Sequence, residues 1–314
     1  MPRPHTIALL QALLVTFLWS TSWVLIKAGL EEIPALTFAG LRYGLAFLVL
    51  LPLLGRASVR VSLARLTRRD WALLVALGVT MYALTQGAQF LALERLPAQT
   101  TSLVLSFSPV LVAFLAVLAL GERPSRRQAW GVALFLAGAF VFLYPVAFPR
   151  SELIGLAIAL VGLVSNAGAS VLGRYVNRGA TLPAVVATAV SMGVGAALLL
   201  GTGLASQGLP ELSPRSWAIV AWLAVVNTAF AFTLWNVTLK RPTAVESSVV
   251  NNTMLIQIAV LAWLFLDEPL GVRQVAGLVL ASLGTLVVQV GGRSGLAPAA
   301  APIARERRDV TEAP

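Results

Sequence analysis

Tyr82, Gln86 and Gln89 follow one another at spacings of four and three residues, which places a phenol and two amides on one helical face. Ser102, Ser106 and Pro109 repeat the spacing, and the proline can free a backbone carbonyl for a solute or water. An offset of 146 residues carries those three onto Ser248, Asn252 and Leu255. Asn251, Asn252 and Gln257 form the densest amide cluster, Asn227, Trp235 and Asn236 a second, and Trp19, Ser20 and Asn166 stand in other apolar runs. Neutral donors and acceptors beside aromatic rings suit recognition of a small amphipathic solute rather than bond breaking. The opposing reading is adhesion between helices, since Ser, Thr and Asn bond across such contacts for about 1 kcal/mol. Sequence leaves both readings open.

Reactive groups are scarce. No phosphate-binding G-x-x-x-x-G-K-[ST] loop is present, the sole histidine is His5 near the N-terminus, and there is no cysteine. Neither an enzyme nor an ATP-driven motor is expected, and neither a metal nor a cofactor. Arg42 is the basic residue set well inside an apolar run, eight positions past Pro34 and so about 12 Å deep if helical. Its charge calls for a solute carboxylate, helix-end carbonyls, or Glu31 or Glu32 reached by snorkelling. Lys27 stands at one mouth of the first run. Glu122, Glu268 and Glu246 lie at helix starts, where exposed N–H groups stabilise a carboxylate by about 0.3–1 kcal/mol, so capping is expected of them.

The elements that must hold these residues follow from composition. With 58% hydrophobic and 11% charged residues the chain is a membrane protein. Ten apolar runs long enough to cross a bilayer are expected at 8–28, 34–54, 71–92, 98–119, 127–146, 152–173, 182–204, 216–239, 243–266 and 271–290. They are continuously apolar rather than alternating, which predicts an all-α fold and not a barrel. Trp71, Trp130 and Trp217 read as interfacial belt residues.

The net charge of +10 is parcelled between the runs, which argues against nucleic acid as a partner and for lipid. Placing the termini and alternate loops on one side gives that side 17 of the 23 basic residues and the other 5, with Arg42 inside a run. The excess predicts a multi-pass protein of the cytoplasmic membrane with both termini cytoplasmic. The Ala-, Pro- and Arg-rich segment 291–314 reads as a disordered cytoplasmic tail.

The stretch LGERPSRRQAWG at 120–131 recurs as LDEPLGVRQVAG at 266–277, and the offset of 146 extends from Trp71 and Trp217 to Gly138 and Gly284. Near the N-terminus the offset drifts, so that Pro34 falls on Pro183. Each half, 1–146 and 147–290, holds five runs, and an odd number forces the second half to enter upside down. Inverted repeats of this kind place a substrate site between the halves near the midplane. Gly131 and Gly138, echoed by Gly277 and Gly284, mark one small-residue face in each half, able to brace the bundle or to join two protomers. Monomer and homodimer both remain open.

The paired segments SLVLSFSPVLVAFLAVLALGERPSRRQAWGVALFLAG and SSVVNNTMLIQIAVLAWLFLDEPLGVRQVAGLVLASLG, with FLWSTSWVLIKAGL and GLRYGLAFL, resemble the ten-helix EamA-type transporters of the drug/metabolite transporter superfamily. The resemblance covers about residues 7–290 and implies alternating-access movement of small metabolites, amino acids or xenobiotics, often outward. It also implies a structural role for Arg42, since family members carry arginine there. The small multidrug members of the superfamily use a central glutamate; here no Asp or Glu falls at the middle of a run, which disfavours carboxylate-driven cation exchange. The substrate-binding set expected is Trp19, Ser20, Arg42, Tyr82, Gln86, Ser102, Ser106, Asn166, Asn227, Trp235, Ser248, Asn251 and Asn252, in a cavity lined by the first, third, fourth, sixth, eighth and ninth runs.

Overall fold

A computed structural model describes residues 4–112, 114, 125–144, 149–178, 184–238 and 244–291. Glu122, the loop holding Lys240 and Arg241, and the segment after 291 lie outside the described residues, as does the side chain of Ser248. Every regular element among the described residues is helical. In chain order these are α1 (Pro4–Gly29), α2 (Ala35–Leu54), α3 (Arg68–Arg95), α4 (Ala98–Val112), α5 (Arg126–Leu143), α6 (Arg150–Arg178), α7 (Ala184–Ser206), α8 (Pro214–Ala224, Val225–Phe230 and Ala231–Thr238 in one run), α9 (Ala244–Phe265) and α10 (Val272–Gly291). A two-turn helix, Ala57–Ala64, joins α2 to α3.

Seven of these, α1, α2, α3, α6, α7, α8 and α10, contain a segment long and apolar enough to cross a membrane. The apolar parts of α4 and α9 are shorter, and α5 has 18 residues, two of them arginines in its first turn. Local chemistry sets several starts. Thr67 with Asp70 and Ser125 with Gln128 form capping boxes for α3 and α5, and Ser213 caps α8 ahead of Pro214. Pro34 and Pro97 immediately precede α2 and α4, where the extended backbone of each proline turns the chain into the helix.

Two helices lose α regularity. Gly78–Gln86 in α3 and Val225–Phe230 in α8 are π-helical, and the 146-residue offset lays one on the other. Widening the turn leaves carbonyls that threonines fill: Thr85 Oγ1 donates to the Thr80 carbonyl at 2.7 Å and Thr228 Oγ1 to that of Leu223 at 2.8 Å, each five residues back. In α4 the helix breaks at Ser106–Phe107, two residues ahead of Pro109.

Packing pairs elements between the halves. α5 lies along α10 and α2 along α7; α1 packs on α9 and α8, while α6 packs on α4 and α3. The α5–α10 seam is the most extensive and is backbone to backbone. A Cβ added to Gly138 would stand 2.4 Å from the Ala281 nitrogen and one on Gly284 2.4 Å from the Phe135 nitrogen, while Gly131 and Gly277 meet the Gly284 and Gly138 carbonyls at 2.9 and 2.7 Å. The glycine faces that sequence left free to brace or to dimerise are therefore spent within one chain. Trp71, Trp130 and Trp217 are exposed at helix ends, as belt residues require.

Candidate functional site

The polar residues gather in two groups that meet at α8. In the first, Asn227 Nδ2 donates to Thr21 Oγ1 and Ser22 Oγ, both at 3.0 Å, and to the Leu18 carbonyl, fastening α8 to α1. Ser20 Oγ lies 2.9 Å from Gln257 Oε1 and 2.8 Å from the Thr16 carbonyl, tying α1 to α9. Trp19 packs between Phe232 and Trp235, with both ring centroids 5.2 Å away. Within this group Trp19 Nε1 and Asn227 Oδ1 are buried without a hydrogen-bond partner.

The second group centres on α2. Arg42 is 4% exposed, and its Nε donates to Thr228 Oγ1 at 3.1 Å. Its guanidinium carbon stands 5.2 Å from the Tyr43 ring centroid. Tyr43 O–H donates to Gln86 Oε1 at 2.7 Å, and its ring meets Tyr82 edge-on at 5.4 Å. Neighbouring residues of α2 thus reach both π segments, at Tyr82 and Thr228, which the 146-residue offset equates.

Of the partners that sequence offered Arg42, the acidic residues are excluded. Glu32 is occupied elsewhere: its Oε2 accepts Ser216 Oγ at 2.7 Å and the Ser213 N–H at 3.3 Å, at the start of α8. Those bonds hold its carboxyl below the ordinary carboxylate range. No carboxylate stands within 4 Å of Arg42 among the described residues. The magnitudes still permit a buried cation here. Insertion of an arginine at mid-membrane costs about 2.5–3.5 kcal/mol; a hydrogen bond to a charged group returns about 1.5–3 and a desolvated cation–π contact up to about 2. The fold therefore tolerates Arg42 while the N–H groups of its two terminal nitrogens remain without a protein partner among the described residues.

Other expected residues are placed differently. Asn166 Nδ2 donates to Ser108 Oγ at 3.2 Å, tying α6 to α4. Ser102 and Ser106 hydroxyls turn back on their own helix, to the Gln99 and Leu103 carbonyls. Asn252 Nδ2 donates to the Ser282 carbonyl at 2.6 Å and so faces α10, and Asn251 is exposed. Tyr43, Thr228, Thr21, Ser22 and Ser108 were absent from the sequence-based set. Tyr43 and Thr228 adjoin Arg42 and Asn227, the only signal that pointed to them. Glu268 does cap a helix, but not its own: it binds the N-terminus of α4, 170 residues away, because the α9–α10 turn folds over that end. His5 Nε2 stands 2.9 Å from Glu246 Oε1, linking α1 to α9.

The sequence pattern of the EamA-like transporter family matches residues 6–144 and again 153–290. The chain belongs to the EamA-like transporter family. It is a multi-pass membrane transporter and not an enzyme. It is 30% identical to the uncharacterized transporter YvbV of Bacillus subtilis, over 89% of this chain and 90% of that protein. A probable amino-acid metabolite efflux pump of Escherichia coli is 25% identical over 88% and 92% of the two chains. A solved crystal structure superimposes with a TM-score of 0.65 at 21% identity, covering 90% of this chain and 97% of the other, and shares the fold. The EamA relationship accounts for helices spotted with amides and hydroxyls.

Proposed function

We propose that this EamA protein is a secondary carrier that exports small amphipathic metabolites, amino acids foremost, across the cytoplasmic membrane. Ten helices cross the bilayer as two inverted five-helix repeats, 1–146 and 147–290, with both termini cytoplasmic. The observation that carries this reading is the α5–α10 seam: exchanging the halves turns the Gly131–Gly284 contact into Gly277–Gly138, which is also present. The exchange likewise turns α1 on α9 into α6 on α4. Such equivalence allows two states of similar energy that open to opposite waters.

The cargo binds between α1, α2, α3 and α8. Arg42 meets its carboxylate, Trp19 and Trp235 its apolar body, and Tyr82, Gln86, Asn227 and Ser20 its remaining polar groups. Ser102, Ser106, Asn166 and Asn251 edge the path from α4, α6 and α9, while Asn252 holds α9 against α10. The name of the Escherichia coli relative supports both the outward direction and the amino-acid class. The glycine face is used internally, which favours a monomer.

Flux of radiolabelled amino acids through purified protein in liposomes, without ATP, tests the reading. Saturable, counter-flow-stimulated movement is expected, with cells that express the protein releasing the same amino acid faster. A protein that moves no solute of this class in either direction would refute it.

A further inference from the structure

We infer that Lys27 and Glu268 form a two-part latch that closes the outer mouth of the carrier by gripping the tip of the α3–α4 hairpin; this rests on the alternating-access reading above. The tip, Leu93 to Gln99, exposes the last carbonyls of α3 and the first N–H groups of α4 side by side. Lys27, near the end of α1, donates from Nζ to the carbonyls of Leu93 at 2.5 Å and Leu96 at 2.8 Å. Glu268, in the α9–α10 turn, accepts the Ala98 N–H on Oε1 at 2.5 Å and the Gln99 N–H on Oε2 at 3.0 Å. Its side chain is nearly shut in, the residue being 9% exposed. Each charge sits at the helix end whose dipole it complements, a cation at a C-terminus and an anion at an N-terminus. Both contacts cross between separate elements, so neither is needed to start or end the helix that carries it.

The hairpin has bending points at matching depth. α3 regains α geometry at Gly87 after its π segment, and α4 breaks at Ser106–Phe107. Each break lies roughly 14 Å from the tip at 1.5 Å per residue. The segment between them is a helical pair that can tilt as a unit once its tip is released. A hollow of about 490 Å³ lies beside the latch, bordered by Lys27, Glu31, Arg95, Phe265 and Glu268, and gives the tip room to move.

The chain has no cysteine, so a spin-label pair can be placed without background at Glu31→Cys and Arg95→Cys, both exposed and both bordering this hollow, one just past the end of α1 and the other on the hairpin. The pair is measured in nanodiscs by pulsed electron resonance. Glu268→Gln should raise the ratio of wide to narrow distances roughly tenfold or more, the loss expected of a hydrogen bond to a charged group. Lys27→Met should do the same. Ala98→Pro is a third route that leaves both charges intact. It deletes one donor at the first helical position, where proline is well tolerated after the extended Pro97. Unchanged distances in the folded variants would overturn the latch. Wider distances without amino-acid flux in the parent would leave the latch standing and remove the transport reading; flux with unchanged distances would do the reverse.

Discussion

Gly138 and Gly168 provide a matched test of the seam that relates the two halves. Both lie inside helices, so exchanging either for alanine gains the same helix propensity, about 1 kcal/mol, and that gain cancels in the comparison. What differs is the space awaiting the methyl group. At Gly138 it would lie 2.4 Å from the Ala281 nitrogen, 2.7 Å from the Gly277 carbonyl oxygen and 2.9 Å from the Leu280 carbonyl carbon, all backbone atoms that cannot rotate away; at Gly168 nothing lies within 4 Å. Forcing a methylene-sized group into packed structure costs about 1–3 kcal/mol. At about 2 °C per kcal/mol, suited to a long chain, Gly138→Ala should melt about 2–6 °C below Gly168→Ala. Thermal unfolding of the purified proteins in one detergent, followed by intrinsic tryptophan fluorescence, reads the difference. Gly284→Ala, whose methyl would meet the Phe135 nitrogen at 2.4 Å, should match Gly138→Ala. If Gly138→Ala melts at or above Gly168→Ala, the α5–α10 contact is not the tight brace described, and the support it lends to paired halves is lost.

Three further outcomes are expected. Arg42→Met should cut flux of a carboxylate-bearing amino acid at least tenfold while sparing its methyl ester, and Arg42→Lys should rescue poorly because one ammonium cannot replace a planar fork; equal flux of acid and ester in Arg42→Met would dismiss the carboxylate contact. Asn252→Leu should lower the melting temperature by about 2 °C, the worth of roughly one interhelical hydrogen bond, with flux within about twofold of the parent, whereas Tyr82→Leu should lose flux. Glu32 has a folded-state carboxyl held low by Ser216 and Ser213, so its stabilising effect is complete above its ordinary value of 4.5 and is lost as the pH falls through its lower folded value. Melting temperature should therefore drop less steeply below about pH 4.5 in Glu32→Gln than in the parent; identical slopes would dissociate Glu32 from the start of α8.

The helices were legible because their apolar runs are continuous and long; α2 starts after Pro34, where the proline announces it, whereas the capping box at Thr67 starts α3 three residues ahead of the run expected from 71. The repeat was read partly from polar loop residues such as Glu268 and Gln274, and the family pattern matches the chain twice. Pairing across space was not. The glycine spacing showed that α5 and α10 could approach a neighbour closely, yet each was equally suited to a helix of another protomer. Glu268 was recognisable as a capping residue from its position, but the end it caps belongs to α4, and only the fold of the α9–α10 turn decides that. The π segments left no trace, since one residue of extra girth does not disturb an apolar stretch. For the same reason Thr228 passed for an ordinary membrane threonine, although the widened turn aims it at Arg42.

The proposed site departs from the repeat that the sequence otherwise carries. The offset of 149 that pairs Pro34 with Pro183 brings Arg42 onto Ser191 and Tyr43 onto Met192, so α7 carries neither the cation nor the phenol. Ser191 instead donates to the Ala187 carbonyl of its own helix at 2.5 Å. A carrier needs two mouths of comparable energy, and repeated scaffolding supplies them. It needs its cargo charge met once, near the middle, by a group that faces the same solute whichever mouth is open. In the carrier proposed above Arg42 and Tyr43 fill that role from α2, because one reaches the π segment of α8 at Thr228 and the other that of α3 at Tyr82 and Gln86. Movement of either helix is thus felt at the same guanidinium and phenol. Under the same proposal, a solute carboxylate that engages the terminal N–H groups of Arg42 biases both segments together, so that binding in the centre alters the balance between mouths that lie far from it.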